Sequence, residues 1–509
     1  MSEDSNATSG YRVWLLLLGP VLALLVLLCL DLTPGKPETT RTAAVAVLMS
    51  FWWITGVLPL AATALLPIVL FPLLGVLDAK EVAAQYINDT IFLFLGGFFV
   101  ALAMQRWDLH RRIALRLLLF FGVRADRLLL GFMAGAFFLS MWISNTATTM
   151  MMLPIAMSVI DNIEERPGDP QVRQYSIAIL LSIAYASSIG GTATLIGTPP
   201  NLSMARILKI TFPEAPEFSF AQWMLFGLPT ALAFLAVLWL VLARPFVGRR
   251  QVHLDPEVVR REHRALGGVT YEQRIVFVVF ILLAVLWMTR ADIVLGAFRL
   301  PGWNHLLVEP EFASDGTVAI AMGLLLFLIP ARSVPGTQIM DWHAARDVPW
   351  GVILLFGGGF ALAKAFVSSG LALWIGQSMQ GLAGLPPILL VLLICLVVSL
   401  LTELTSNTAM AEMLLPIMAS LALAIGLHPL LLMVPTTFAC SFAFMLPVAT
   451  PPNAIVFATQ RLTVLDMVRR GYLLNCAAVV ILTLAMFTLG RMVFQIPELG
   501  LPDWAHVPH

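Results

Sequence analysis

Residues 144–156 read SNTATTMMMLPIA and residues 406–418 read SNTAMAEMLLPIM, with eight identities in thirteen positions. Each copy lies in an apolar stretch too long for one membrane-crossing helix, about 128–161 and 387–424. The polar triplet in the middle therefore marks a place where the chain turns back. Two more pairs keep the same order. Gly96-Gly97 with Phe99 precedes the first copy, and Gly357-Gly358 with Phe360 precedes the second. GTPPN at 197–201 follows the first, and ATPPN at 449–453 follows the second. Three landmarks in one order, twice, describe a duplication. A lone serine–asparagine–threonine would carry no weight, because small polar residues in apolar helices usually serve as packing contacts. Its recurrence inside two interrupted hairpins gives it meaning.

The composition names the solvent. Apolar residues make up 59% of the 509 positions and charged residues 12%, against about 25% charged in an ordinary soluble domain. A soluble exterior cannot be built from so few charges, whereas many windows reach the roughly 20 apolar residues that span a hydrocarbon core. The expected fold is an all-α polytopic membrane protein. Its crossings fall at roughly 13–30, 43–57, 59–76, 90–105, 175–210, 221–243, 274–290, 316–330, 350–367, 428–460 and 471–490. That makes eleven, with 128–161 and 387–424 as re-entrant hairpins. Non-helical backbone at membrane depth is tolerated where protein buries it or where it lines a cavity. The first ten residues hold acids and no Lys or Arg, and no small-residue cleavage site follows the apolar run. A retained first helix is expected there rather than a signal peptide.

Placing the amino terminus in the cytoplasm puts 21 Lys and Arg on inner segments and 7 on outer ones, the asymmetry of the positive-inside rule. The carboxyl terminus is then extracytoplasmic. Five crossings separate the hairpins, so they open to opposite sides and the halves become inverted repeats. This gives a cytoplasmic tail and first helix at 1–40, a first repeat at 41–250 and a cytoplasmic loop at 251–273. A second repeat follows at 274–495, then an extracytoplasmic tail at 496–509. The first repeat contains hairpin 128–161 and broken helix 175–210; the second contains hairpin 387–424 and broken helix 428–460. Segment Leu109–Phe121 alternates Arg with Leu and Phe at helical spacing, as an interfacial helix on the inner surface does.

Inverted repeats place their sites near the midplane, where half-helix N-termini face anions and carbonyls face cations. The hairpin tips supply Ser144, Asn145 and Thr146, and Ser406, Asn407 and Thr408, all uncharged donors. The Pro-Pro-Asn breaks leave carbonyls unpaired, since proline has no N–H to give. No Lys or Arg lies in either tip, so a bound anion needs a co-bound cation. A carboxylate travelling with a small monovalent cation fits that chemistry. Glu403 and Glu412 flank the second tip and Lys364 lies in a crossing, which makes each a functional candidate by position alone. Glu403 either touches the site or supports it; structural pairing or a watery cavity accounts for Glu412 and Lys364. The run Met150–Met152 reads as packing. The four cysteines lie in apolar segments without metal-ligand spacing, and the histidines form no HExxH, so a zinc site is not expected. No nucleophile–base pair lies in the apolar segments, which argues against an enzyme. The polar breaks are concentrated at two centres rather than along a pore, which argues against a channel.

The two SNT hairpins, the two TPPN breaks and the stretch SFAFMLPVATPPNAIVF at 441–457 resemble the divalent anion:sodium symporter family over about residues 40–495. The resemblance implies a homodimer in the cell (inner) membrane, each protomer with a scaffold and a transport part that moves like an elevator. It implies one sodium site on Ser140, Ser144, Asn145 and the backbone near Gly197. A second would use Thr402, Thr405, Asn407 and the backbone near Ala449. The substrate carboxylates would meet both SNT tips, with Thr198, Pro199, Thr450 and Pro451 close by. The implied function is sodium-coupled import of C4-dicarboxylates (succinate, malate, fumarate). Sodium-independent dicarboxylate exchange, or sodium symport of citrate or sulfate, are the alternatives. One methylene or hydroxyl changes binding by only about 1–3 kcal/mol, so the sequence does not select among these anions.

Overall fold

Proline and the polar triplets decide where these apolar stretches stop being helical. The computed structural model describes residues 3–122, 124–163, 170–246, 256–295, 298–497 and 500–505. Among them the chain is almost entirely helical, apart from a two-stranded ribbon, Ile293–Leu295 with Phe298–Leu300. Among the described residues, seven helices are long and apolar enough to cross a membrane, from Arg12–Cys29 to the segment Val464–Val493. Several begin with capping boxes that satisfy orphan N–H groups: Asp78 with Glu81, Ser219 with Gln222, Thr270 with Gln273 and Thr463 with Asp466.

Stretch 128–161 is two helices, Ala125–Ser140 and Asn145–Ile163, with the turn at Met141–Ser144. Stretch 387–424 is Pro387–Leu401 and Asn407–Ala424. The TPPN stretches are broken as well. Pro170–Gly191 ends and Pro199–Thr211 begins after seven non-helical residues, 192–198. Leu430–Ser441 and Pro451–Phe457 repeat the pattern across 442–450. Proline suits the first helical turn, where its missing N–H costs nothing, so each Pro-Pro pair restarts a helix. The stretch 59–76 departs from a single crossing. Pro59 and Pro67 stand at the starts of two short helices, Leu60–Thr63 and Leu66–Leu73, that replace it.

The halves exchange pieces. Pro199–Thr211, from the first half, packs on Asn407–Ala424 of the second hairpin. Pro451–Phe457, from the second half, packs on Asn145–Ile163 of the first hairpin. This exchange brings both breaks and both tips to one place. Leu109–Phe121 is a helix with the expected bounds. Its Arg112, however, is buried and donates to Gln273 Oε1 at 2.8 Å and to the carbonyls of Leu266, Gly267 and Gly268 at 2.9–3.0 Å. That arginine ties the helix to the chain before Tyr271, a role that helical spacing alone does not reveal. Residues 164–169, 251–255 of the expected cytoplasmic loop and 506–509 of the tail lie outside the described residues.

Candidate functional site

The tips and breaks surround a cavity of about 690 Å³. Ser144, Asn145 and Thr146 meet Thr405, Ser406, Asn407 and Thr408 across it. Gly197, Thr198 and Pro199 and Ala449, Thr450 and Pro451 complete the polar walls. Of the residues expected to bind substrate or sodium, Ser140 and Thr402 alone are absent from the lining. Both are fully buried directly behind it. Ser140 Oγ donates to Asn145 Oδ1 at 2.6 Å, and Thr402 Oγ1 lies 3.0 Å from Asn407 Oδ1 and 2.7 Å from the Cys440 carbonyl. A hydroxyl five residues before each asparagine therefore contacts its amide oxygen.

The oxygen clusters follow from close backbone approach. A Cβ on Gly191 would overlap the Asn145 amide, and one on Gly197 would overlap the backbone of Gly191. Only glycine lets the two ends of this break come together beside Asn145. Asn201 Nδ2 then bridges the gap, donating to the carbonyls of Gly191 at 3.1 Å and Thr194 at 2.6 Å. Asn453 does the same in the other half, to Ala443 at 3.1 Å and Leu446 at 3.0 Å. The offsets of ten and seven residues are identical in both halves. These asparagines fix the breaks from behind, so the TPPN motif splits in two: its threonine and first proline face the cavity, and its asparagine supports them.

No Lys, Arg, Asp, Glu or His lines the cavity among the described residues. Helices starting at Asn145, Pro199, Asn407 and Pro451 all begin at its wall. Their N-terminal dipole ends favour negative charge there. At Ser406 and Thr198 no side chain caps the helix that follows. The cavity thus offers uncharged donors and dipoles to an anion, and amide, hydroxyl and carbonyl oxygens to a hard cation. Met150 and Met151 stay out of the lining.

Glu403 does not line the cavity; it is the support beneath the second break. Its carboxylate, in a residue 2% exposed, accepts from the amides of Phe444, Met445 and Leu446 at 2.7–3.1 Å and from Asn475 Nδ2 at 2.8 Å. The first half holds its break differently. Met141 stands where Glu403 stands in the repeat, and Thr194 accepts from the Gly197 amide at 3.1 Å while donating to the Met141 carbonyl at 2.5 Å. Tyr185 joins the halves, its hydroxyl donating to the Phe444 carbonyl at 2.6 Å. Lys364 lies outside the lining. Glu412 is fully buried, away from the cavity, and its pairing is structural, with Ser203 as its partner.

The apolar wall was invisible in sequence. Trp53, Leu60, Phe94, Phe98 and Val352 come from helices elsewhere in the chain. The only pointer was the Gly-Gly-Phe landmark, since Phe94 and Phe98 flank Gly96-Gly97.

The chain matches known proteins along most of its length. The sodium:sulfate symporter transmembrane region matches residues 11–496. The sodium-dependent dicarboxylate transporter SdcS of Staphylococcus saprophyticus is 42% identical over 502 residues, covering 97% of this chain and 94% of the relative. SdcS of Staphylococcus aureus is 41% identical over 505 residues, with the same coverage. Among solved structures, Neisseria gonorrhoeae MtrF, described with a class of antimetabolite efflux pumps, superposes with a TM-score of 0.58 at 14% identity. That match covers 91% of this chain and 96% of MtrF. The Alcanivorax borkumensis YdaH transporter reaches 0.55 at 13% identity, covering 89% and 100%. At such identities the two structures speak for the fold alone.

Proposed function

The chain belongs to the sodium:sulfate symporter family of membrane transporters, and on that premise we propose that it is a sodium-coupled symporter importing C4-dicarboxylates such as succinate, malate and fumarate. The observation that carries the proposal is the cavity without charged residues. A dianion taken from water into a poorly hydrated site needs counter-charge, and unpaired buried charge is costly. Co-bound sodium supplies it. The names of the SdcS relatives support the same reading.

In this proposal one sodium rests on Ser140, Ser144, Asn145 and the Gly197 backbone, and the second on Thr402, Thr405, Asn407 and the Ala449 backbone. The dicarboxylate bridges the two SNT tips, with Thr198, Pro199, Thr450 and Pro451 beside it. Thr55 and Pro349, from the expected cytoplasmic ends of their helices, belong to the cavity lining, and on that ground we propose an inward-open state. We further propose a homodimer whose hairpins and broken helices move as one body against the remaining helices, with the amino terminus cytoplasmic and the carboxyl terminus extracytoplasmic.

The test is uptake of labelled succinate into proteoliposomes with and without an inward sodium gradient. Accumulation that requires the gradient supports symport. Exchange against internal dicarboxylate without sodium would instead establish the sodium-independent exchanger.

A further inference from the structure

Two buried acids stand on the second hairpin in opposite surroundings. Glu403 receives N–H donors from Phe444, Met445, Leu446 and Asn475, which is how a protein solvates a carboxylate anion. Glu412, at 0% exposure, has Oε1 on Ser203 Oγ and Oε2 with no partner at all. The helices packed against Asn407–Ala424 carry Arg206, Lys209, Lys364, Arg41, Glu38 and Cys440 as charged or titratable groups. None of these bonds the carboxyl. Arg206 pairs with Asp89, Lys209 donates to the carbonyls of Pro213 and Ala215, and Arg41 donates to the Leu74 carbonyl.

The hydrogen count decides the protonation state. Ser203 has one hydroxyl proton, and its Oγ also lies 3.3 Å from the Pro199 carbonyl. If that proton goes to Pro199, the proton between Ser203 and Glu412 must belong to Glu412. If it goes to Glu412, a buried carboxylate is left with one donor and no cation, a state of high cost. The neutral acid satisfies both contacts. The place is also shaped for it, because a Cβ on Gly359 would collide with the carboxyl. Ser203 stands on the helix that Thr198 and Pro199 begin at the cavity, and Glu412 on the helix that Asn407 begins.

We propose that Glu412 is a proton-binding site, occupied while its carboxyl is enclosed by Ser203 and Gly359 and emptied when the two cavity helices shift against Trp350–Ser368. On release the O–H bond breaks, the electron pair stays on the carboxylate and the proton passes to water. Protonation thereby favours the conformation seen here. The proposal rests on the transport reading in making this helix movement part of the cycle.

Two measurements test it. The first needs no transport: thermal unfolding of the purified protein in detergent from about pH 5, just above the ordinary carboxylate pKa, to about pH 9. A group that is neutral only when buried gives stability that is present at low pH and fades as pH rises. The wild type is expected to lose melting temperature over this range relative to Glu412→Gln. The second is sodium-driven succinate uptake from about pH 7 to about pH 9, where the dianion fraction is nearly constant. Wild-type uptake is expected to fall at least about threefold, and Glu412→Gln to stay nearly flat. Should Glu412→Gln fail to fold, Ser203→Ala serves, and its melting and uptake profiles should shift along the pH axis. A wild-type melting profile flat in pH, or one shared with the variant, overturns the proton site. Absence of uptake with the melting difference intact overturns the transport reading instead and leaves the proton site standing.

Discussion

Asn145 and Asn407 have the same chemistry and the same holder. Each side chain offers an oxygen suited to sodium and an NH2 suited to a carboxylate, and a hydroxyl five residues earlier fixes it. Replacing either by Asp keeps the oxygen, removes the donor and adds a charge facing an anion. Loss of one hydrogen bond to a charged group alone costs about 1.5–3 kcal/mol. Asn145→Asp and Asn407→Asp should each weaken succinate binding at least about tenfold, measured by uptake or calorimetry, since about 1.4 kcal/mol is one decade. Met151→Leu and Met413→Leu, beyond the tips, should leave transport nearly unchanged. Normal transport by the asparagine variants alongside failing methionine variants would assign the tips to packing. Ser140→Ala and Thr402→Ala should act on sodium in two ways, by removing a hydroxyl of the proposed cation site and by releasing the amide beside it. Sodium affinity should therefore fall while the protein folds normally. At this scale the sequence was almost sufficient, because the duplicated triplets name the residues that meet. It could not separate Ser140 and Thr402, which support the lining, from the residues that form it.

The breaks are the element that turns motifs into a site, and each half secures its own by different means. In the second half, Glu403→Ala would leave the amides of Phe444, Met445 and Leu446 without their acceptor. Leaving buried donors unsatisfied costs about 1–3 kcal/mol each. The expected result is a lower melting temperature for the whole protein and weaker sodium binding at the second-half site. Gly197→Ala should be worse, since the collision is with backbone rather than with a flexible side chain. No transport and a destabilised protein are expected. The two-stranded ribbon is tied by Asp292, whose carboxylate accepts from the Gly302 amide at 2.8 Å and from Arg299 Nη2 at 2.6 Å, with His305 Nε2 at 2.7 Å. The Gly302 amide, then Arg299 and His305, hold its pKa well below the usual carboxylate range. A lowered pKa gives stability that is present above the ordinary carboxylate pKa and lost as pH falls through the folded value. Asp292→Asn should therefore quicken proteolysis of this loop at neutral pH, a difference that vanishes in strong acid.

For the whole molecule, the expectation concerns sides of the membrane. In a variant with the exposed Cys29 and Cys476 replaced by Ser, a cysteine at Gly267 should react with impermeant reagents only from the cytoplasmic side. One at Pro386 should react only from outside. The 21-to-7 distribution of Lys and Arg motivates this, and labelling of both from one side would remove the inverted arrangement of the halves. Replacing sodium by choline should lower succinate affinity steeply, because no described residue of the cavity wall brings positive charge. An affinity indifferent to sodium would support the exchanger.

Composition by itself determined that this chain lives in a bilayer, because too few charges remain to make a soluble surface. The repeated SNT and TPPN motifs determined which residues would gather, since a polar interruption inside an apolar hairpin is tolerated only where it is buried or lines a cavity. Their spacing is local, so one sequence was enough to read it. Other features depend on segments far apart in the chain, and only the tertiary structure decided them. Trp53, Phe94 and Val352 reach the cavity from three separate helices. Glu403 and Glu412, nine residues apart on one hairpin, look alike in sequence. One meets a loop 41–43 residues away that offers N–H groups, and the other meets a serine 209 residues away and a glycine. The charge a buried carboxyl can carry is set by the donors that surround it, and the fold alone brings those donors together.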